Sequence, residues 1–112
     1  MKRAKRIDRN HVIYRITCTV TGETYIGLTA SKGRAYLGSA KRRLSRHISQ
    51  ARTENRSMTL HDRIRLHGAD QFIIEVLDVV RGKPQAHEAE IALIRLHNPP
   101  LNILGATQVV GA

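Results

Sequence analysis

Two short alternating runs near the N-terminus constrain the fold most, because they adjoin one another and can pair directly. The segment Val12–Thr29 reads VIYRITCTVTGETYIGLT. From Val12 to Val20 every second residue is apolar and most of the residues between are polar, which is the period of a half-buried strand. A Thr-Gly turn signal follows, and the run ETYIGL comes directly after it. The segment therefore predicts a β-hairpin.

The register of this hairpin decides where its tyrosines lie. With Thr21-Gly22 as a two-residue loop, Cys18 would lie opposite Tyr25, and Tyr14 would project from the same face. The two tyrosines would then be about 13 Å apart along the strands, at ~3.3 Å per residue. A bulge or a longer turn would change that distance.

Two helices are predicted after the hairpin. Ala30–Gly38 is a loop of small, polar and glycine residues, and Ser39 is a suitable N-cap for the first helix. The second helix begins at Ser57 and ends at Gly68, with Leu60 and Ile64 facing inward. The first helix has an apolar stripe formed by Ala40, Leu44, Ile48 and Ala51. Arg43 and His47 lie along the border of this stripe.

A third strand and a third helix complete the pattern. Residues 71–80 are apolar on both faces, which indicates a covered strand in the middle of the sheet. Pro84 suits the first turn of the last helix, and the sequence NPP at 98–100 ends it. Glu90 lies at the edge of that helix's apolar stripe, whereas Glu88 points to solvent; the stripe comprises Ala86, Ala89, Ala92, Leu93 and Leu96.

The order ββααβα predicts an α+β fold, a small three-stranded antiparallel sheet flanked by three helices. A chain of 112 residues is long enough for one such domain. We expect a basic N-terminal arm at residues 1–10, the folded domain at 11–104 and a C-terminal tail at 105–112.

The charge balance indicates a polyanionic partner. The chain carries 19 lysines and arginines against 9 acidic residues, a formal net charge of +10. Fourteen of the basic residues are arginine, whose planar fork donates two hydrogen bonds to one phosphate. The four aromatic residues are too few for the base-stacking surface that single-strand binders use. Contacts to a nucleic-acid backbone are therefore expected, and a general RNA-binding protein is an alternative on composition alone.

Other classes of protein are disfavoured. No apolar run approaches the roughly 18 residues of a membrane span, and the basic start lacks the apolar stretch of a secretory signal. The single cysteine, Cys18, cannot form an internal disulfide or a multi-cysteine zinc site. We expect no membrane association and a reducing, intracellular compartment.

Several short motifs, in their order, resemble the GIY-YIG nuclease superfamily. They are VIY at 12–14, YIG at 25–27, RRLSRH at 42–47, LHG at 66–68 before the third strand, a glutamate on the last helix, and LN at 101–102. The likeness spans about His11 to Asn102. It implies a metal-dependent DNA endonuclease that uses Mg²⁺ or Mn²⁺. By the same resemblance, homing endonucleases and small phage-borne nucleases are a fitting context, in the cytoplasm of a bacterium or a phage-infected cell.

The chain departs from the family pattern in two places. Val12 stands where the motif has its first glycine, and the stretch from Gly27 to Arg43 is longer than in compact members. Arg42 and Arg46 therefore stay open as alternatives to Arg43 for the catalytic arginine. We prefer Arg43, because it shares a helical edge with His47.

The resemblance also implies a set of site residues. Glu90 would be the metal ligand, Arg43 would stabilise the charge of the phosphorane, and either Tyr14 or His47 would be the general base. Tyr25 would position the water or the phosphate. The full catalytic set is Tyr14, Tyr25, Arg43, His47 and Asn102, where Asn102 buttresses the site and Gly27 permits close backbone approach. The residues expected to bind DNA are Lys2, Arg3, Lys5, Arg6, Lys41, Arg42 and Arg46, and those left as surface or capping histidines are His61, His67, His87 and His97.

Two rival functions remain at this point. A non-catalytic nucleic-acid-binding module would keep the scaffold and its charge, but it would not need Glu90 in a cationic groove. A repair-type nuclease would act on branched or damaged DNA. Relatives with that role commonly carry a further DNA-binding region, which is not evident here, so a partner protein or a homodimer is expected to enlarge the contact with DNA.

Overall fold

The computed structural model describes residues 9–53 and 58–102, and within them the predicted order ββααβα is confirmed. The elements are β1 (Asn10–Cys18), β2 (Thr24–Ala30), α1 (Tyr36–Thr53), α2 (Thr59–His67), β3 (Phe72–Arg81) and α3 (Lys83–His97), with short 3-10 turns at Ala69–Gln71 and Pro100–Asn102. Ser57, the predicted start of the second helix, lies outside the described residues, as do the basic residues Lys2, Arg3, Lys5 and Arg6 of the N-terminal arm.

The sheet is antiparallel with the strand order β2-β1-β3. The central strand is thus β1, which is also the most buried strand: Val12, Ile13 and Ile16 are fully enclosed. The prediction that the third strand lies in the middle of the sheet is wrong. β3 is an edge strand, and Ile73 on its outer face is 58% exposed, so an apolar pattern on both faces did not mean cover on both faces.

The hairpin register differs from the predicted one by two residues. Ile16, not Cys18, pairs with Tyr25, and Tyr14 pairs with Gly27. The reason is a longer loop, in which the Cys18 amide donates to the Glu23 carbonyl and the Gly22 amide donates to the Cys18 carbonyl. A shift of two residues keeps every side chain on its face, so the shared face of the tyrosines is confirmed. Their separation shrinks, however, and the ring centroids are 6.3 Å apart.

The helix α1 begins at Tyr36, three residues before the predicted cap. Ser39 therefore does not act as the N-cap. Its buried hydroxyl accepts a hydrogen bond from the Lys32 amide instead, and so ties the preceding loop to the helix. The predicted apolar stripe is confirmed, since Ala40 and Ala51 are buried in the core and Leu44 and Ile48 pack against it.

The helix α2 ends at Gly68 as predicted, where the backbone takes a positive φ of 96°. Leu60 and Ile64 both face the core, as expected. The cluster that these residues join also holds the inward side chains of β1 and the turn residue Leu101. One face of the sheet is thereby covered by α1 and α2.

The helix α3 has the predicted ends, with Pro84 in its first turn and Asn98 as a left-handed C-cap. Its apolar stripe was predicted only in part. Ala86 is buried and Leu93 is half-buried, but Ala92 is exposed and Leu96 is 74% exposed. The buried and half-buried positions are Ala86, Ala89, Glu90, Leu93 and Ile94, which recur at the i, i+3 and i, i+4 spacing of one helix face. Ala92 and Leu96 lie outside that face. Among the described residues, no helix is long and apolar enough to cross a membrane.

Candidate active site

A pocket of about 510 Å³ at the β2 side of the sheet brings together four of the predicted site residues. Tyr14 comes from β1, Tyr25 from β2, Arg43 from α1 and Glu90 from α3. Each of these four elements therefore contributes at least one polar group to a shared cavity. The remaining lining residues are Arg9, His11, Leu28, Thr29, Ala30, Lys83 and His87.

Tyr14 is held at the centre of the sheet and is 1% exposed. The pairing of β1 with β3 shifts register between Ile13 and Tyr14, where Leu77 of β3 is the extra residue of a bulge. The Tyr14 hydroxyl lies 3.0 Å from Nε2 of His47. The phenol is thus fixed by a partner on α1 while it lines the pocket.

Gly27 is needed for the position of that phenol. A Cβ at residue 27 would come within 2.4 Å of the Tyr14 hydroxyl oxygen, far inside van der Waals contact. The sequence predicted only that Gly27 permits a close approach of the backbone in the site. In the structure it is made by the ring of the paired tyrosine across the β1–β2 ladder.

His47 connects Tyr14 to a second buried histidine. Nδ1 of His47 lies 3.1 Å from Nε2 of His61, and both rings are fully buried. Tyr25 packs edge-on against His47, with ring centroids 5.5 Å apart. The prediction of a surface or capping role for His61 is wrong, because α2 turns this residue into the core beside α1.

Burial dominates the electrostatics of this cluster. It raises the pKa of Tyr14 above the ordinary range, helped by the nearby Tyr25, while Arg43 opposes the rise. It also raises the pKa of Tyr25. Burial, with the charge of Arg43 and the neighbouring His61, lowers the pKa of His47 to about 3. Near neutral pH the tyrosines and His47 are therefore uncharged.

Among the three arginines considered for catalysis, Arg43 is the one that lines the pocket with the tyrosines. It is half-buried, whereas Arg42 and Arg46 are more open to solvent and line an adjoining cavity. Arg43 is thus the arginine that lies beside the tyrosines, and its catalytic role stays a prediction. His47 itself, however, lies inside the core and not on its border.

Glu90 provides the carboxylate of the pocket, and its side chain is 18% exposed. Burial raises the pKa of Glu90, and the adjacent His87 partly offsets that rise, with Nδ1 3.6 Å from the carboxylate. Glu88, two residues earlier, is exposed as predicted. Within residues 9–53 and 58–102, no group of three or more His, Cys, Asp or Glu side chains could hold a metal ion by itself.

Asn102 lies behind the pocket and does not line it. Its side-chain oxygen accepts a hydrogen bond from the Ile26 amide at 2.8 Å, and its amide nitrogen donates to the Ile26 carbonyl at 2.8 Å. The side chain thus pairs with the outer edge of β2 as a further strand would. This agrees with the expected buttress, and it holds the strand that carries Tyr25 and Gly27.

Some residues of the site had no clear signal in the sequence. Arg9, His11, Lys83 and His87 line the pocket because strand and helix ends converge there, and no spacing rule predicts such a meeting. His61 did have one available signal, since it lies three residues before the inward Ile64 and so shares a helix face with it. Lys41, predicted to bind DNA, borders an apolar groove between α1 and β3. It lines neither the pocket that holds the tyrosines nor the adjoining cavity of Arg42 and Arg46.

Comparisons with known proteins agree with this architecture. The profile of the GIY-YIG catalytic domain matches residues 10–102. A structure of the catalytic domain of the intron endonuclease I-TevI, in a single-site mutant, is 21% identical, with a TM-score of 0.64 over 86% of this chain and 92% of that one. The catalytic domain of homing endonuclease I-TevI gives 21% identity and a TM-score of 0.62, over 85% and 96% of the two chains. No curated protein sequence matches significantly.

Proposed function

The chain belongs to the GIY-YIG catalytic domain family, and from that premise we propose that it is a metal-dependent endonuclease that hydrolyses DNA phosphodiesters. The observation that carries the proposal is the pocket in which two tyrosines, an arginine and a glutamate converge from four elements. The net charge of +10 suits a polyanionic substrate. The two similar endonuclease structures share this fold.

A divalent cation such as Mg²⁺ or Mn²⁺ fits the donor chemistry of this pocket. Glu90 would hold it, because Mg²⁺ commonly binds through one or two carboxylates and substrate phosphate and keeps several waters. The raised pKa of Glu90 reflects a desolvated carboxylate that a cation would stabilise. When bound, the ion would supply positive charge to the phosphate oxygens and to the leaving 3′ oxygen.

The buried chain Tyr14–His47–His61 suits removal of a proton from the attacking water. Tyr14 is a neutral phenol at neutral pH and not a phenolate, since its pKa is raised. It can accept the water proton only as it releases its own proton to Nε2 of His47, 3.0 Å away. Nδ1 of His47 would in turn release a proton to Nε2 of His61, 3.1 Å away.

This transfer balances without a cationic His47. The hydroxide bonds to phosphorus, and the proton from the attacking water ends, in effect, on His61. The bond to the 3′ oxygen breaks, and that oxygen leaves with the electron pair and takes a proton from solvent. A route that needs no lasting positive charge on His47 is consistent with the low pKa of that residue, which burial and the charge of Arg43 cause. The alternative of His47 as a direct base is disfavoured, since Tyr14 occupies its Nε2 side.

Arg43 and Tyr25 complete the proposed roles. Arg43 directs fixed positive charge toward the non-bridging oxygens, where charge builds up in the transition state. Tyr25, uncharged and packed against His47, would orient the water or the phosphate. Glu90 argues against a pure binding module, because a half-buried carboxylate in a cationic pocket weakens anion binding unless a metal is present.

Incubation of the purified protein with supercoiled plasmid tests the proposal. We expect nicked or linear DNA with Mg²⁺ or Mn²⁺ and none with EDTA. Intact plasmid under both conditions, from a folded protein that binds the plasmid, would support the binding module and contradict the nuclease. Cleavage in EDTA would contradict the metal requirement alone.

A further inference from the structure

A second cationic cavity of about 290 Å³ adjoins the pocket described above. The two cavities share Thr29, Ala30 and Arg43 as a common wall. Beyond that wall the second cavity is lined by Lys32, Ser39, Arg42 and Arg46. It therefore holds four basic side chains when Arg43 is included, and no carboxylate from the part of the chain that the structure describes lines it.

The charges of this cavity are not compensated by the fold. Within residues 9–53 and 58–102, none of its four basic side chains forms an ion pair with a carboxylate. Arg42 and Arg46 are also four residues apart on α1, where two like charges destabilise a helix. A bound anion would relieve this repulsion, and arginine forks suit a phosphate in particular.

The cavity is held in shape by hydrogen bonds around Lys32. The Lys32 amide donates to the Ser39 hydroxyl at 3.0 Å, and the Ser31 amide donates to the Asn10 carbonyl at 2.9 Å. The loop that carries Lys32 is thus fixed both to α1 and to β1. A binding site whose parts are already ordered loses less entropy when its ligand arrives.

We propose that this cavity binds one backbone phosphate of the DNA substrate, the neighbour of the phosphate that is cut. The proposal rests on the nuclease function, because only that function defines which phosphate occupies the first pocket. Arg43 at the shared wall would lie between the two phosphates. The second phosphate would then set the strand's register, so that the scissile bond lies beside Tyr14 and Glu90.

The test compares two double variants that remove the same charge. Arg42→Ala with Arg46→Ala removes two cations of the cavity. Arg52→Ala with Arg95→Ala removes two exposed arginines that line neither cavity, and it serves as the control. Fluorescence anisotropy with a short duplex in EDTA, over a series of salt concentrations, measures binding without cleavage. Thermal melting checks that both variants are folded.

We expect the cavity variant to have a shallower dependence of log K on log salt, by roughly 0.9 for each phosphate that is no longer neutralised, and the control to keep the parent slope. Equal slopes in all three proteins would overturn the proposal. A site for free inorganic phosphate would give a different result. Inorganic phosphate would compete with DNA for the parent protein, but neutralising any one phosphate of the DNA would leave the affinity unchanged. That result would also overturn the proposal.

Neutral methylphosphonate linkages identify the phosphate. After a cut position is mapped, each neighbouring phosphate is replaced in turn. We expect one replacement to weaken binding several-fold in the parent and to have no further effect in the cavity variant, the result of a double-mutant cycle on a direct contact. Effects that simply add at every position would overturn the proposal. Absence of any cut would contradict the nuclease function. The salt slopes, which are measured without cleavage, would still show whether the second cavity contacts a DNA phosphate.

Discussion

Glu88 and Glu90 differ in chemistry only because of their positions on one helix. The inward stripe of α3 runs through Ala86, Glu90 and Ile94, so Glu90 enters the pocket while Glu88 points to solvent. A partly desolvated carboxylate has a raised pKa and gains more from a nearby cation than an exposed one does. The proposed metal ligand and a plain surface charge are thus the same residue type, two positions apart.

Glu90→Ala should abolish cleavage, by ~100-fold or more, with little change in DNA binding or melting temperature. Its carboxylate lines the pocket, and burial disfavours its charged form and so raises its pKa, so its removal should cost the fold little. Glu88→Ala is the matched control and should be close to neutral. Plasmid cleavage, anisotropy and thermal melting of the two variants check this. Equal loss of activity in both variants would move the metal ligand elsewhere, and unfolding of the first would make the role structural.

Tyr14→Phe should lower the cleavage rate by ~10²-fold or more, the usual range for loss of a proton-transfer group. Only the hydroxyl that faces Nε2 of His47 is removed, so DNA binding should change little. Tyr25→Phe should be similar or milder. Tyr36→Phe is a control outside the pocket, where the hydroxyl accepts a hydrogen bond from Asn10. Single-turnover rates for the variants decide the matter, and undiminished turnover in Tyr14→Phe would remove Tyr14 from proton transfer.

At the scale of elements, the sequence predicted what depends on local pattern. The hairpin, the helix ends at Gly68 and Asn98 and the shared face of the tyrosines all follow from periodicity and turn chemistry. The register and the edge position of β3 depend instead on a loop length and on which strand pairs second, and neither is local. The meeting of His47 with His61 is of the same kind, because it requires the packing angle between α1 and α2.

Gly27→Ala tests the contact between the two strands of the hairpin. The new Cβ would overlap the Tyr14 phenol, so the ring must leave the position in which its hydroxyl meets Nε2 of His47. We expect the cleavage rate to fall strongly while the melting temperature falls only slightly. Gly38→Ala is the matched control, because its Cβ would meet only the Ala35 Cβ at 3.7 Å, and helix propensity makes the change neutral or stabilising by at most ~1 kcal/mol. Cleavage rates and melting temperatures of both variants check this. A large fall of the melting temperature in Gly27→Ala, with the rate lost only in proportion to unfolded protein, would contradict this interpretation.

The packing of α1 on the sheet also makes stability depend on pH through His47. The folded pKa of about 3 lies below the ordinary value of 6.5, so between these values the unfolded chain binds a proton that the folded chain does not. The contribution is fully present above pH 6.5 and is lost as the pH falls toward 3. The free energy of unfolding should fall by up to ~1.4 kcal/mol per pH unit from this one group.

Urea unfolding between pH 4 and pH 7 measures this dependence. His47→Gln keeps a hydrogen-bonding side chain but cannot take the proton, so its unfolding free energy should vary less with pH over the same range. An identical pH dependence in parent and variant would show that another group is responsible.

At the scale of the whole molecule, the surplus of ten positive charges is divided between two tasks. The two tasks are the chemical step and DNA binding. Arg43 lines the pocket with the reactive groups, and most of the other basic residues do not line that pocket. Contacts to phosphates position a protein on DNA and carry no base identity, while a charge directed at the transition state changes the rate. Binding and chemistry should therefore respond to different substitutions.

Deletion of residues 1–6 removes four basic residues, Lys2, Arg3, Lys5 and Arg6, which belong to the binding task if the arm follows the DNA backbone. The slope of log K against log salt should become shallower by about 0.9 for each phosphate that the arm neutralises, equally for unrelated DNA sequences. Single-turnover cleavage by DNA-saturated enzyme should hardly change. Arg43→Ala should do the reverse, with a large loss in the chemical step and a small loss in affinity. Anisotropy over a salt series, paired with single-turnover cleavage on the same proteins, measures both effects. An unchanged slope after the deletion would exclude the arm from DNA binding, and an Arg43→Ala variant that loses affinity but keeps its rate would reassign that arginine to backbone contact.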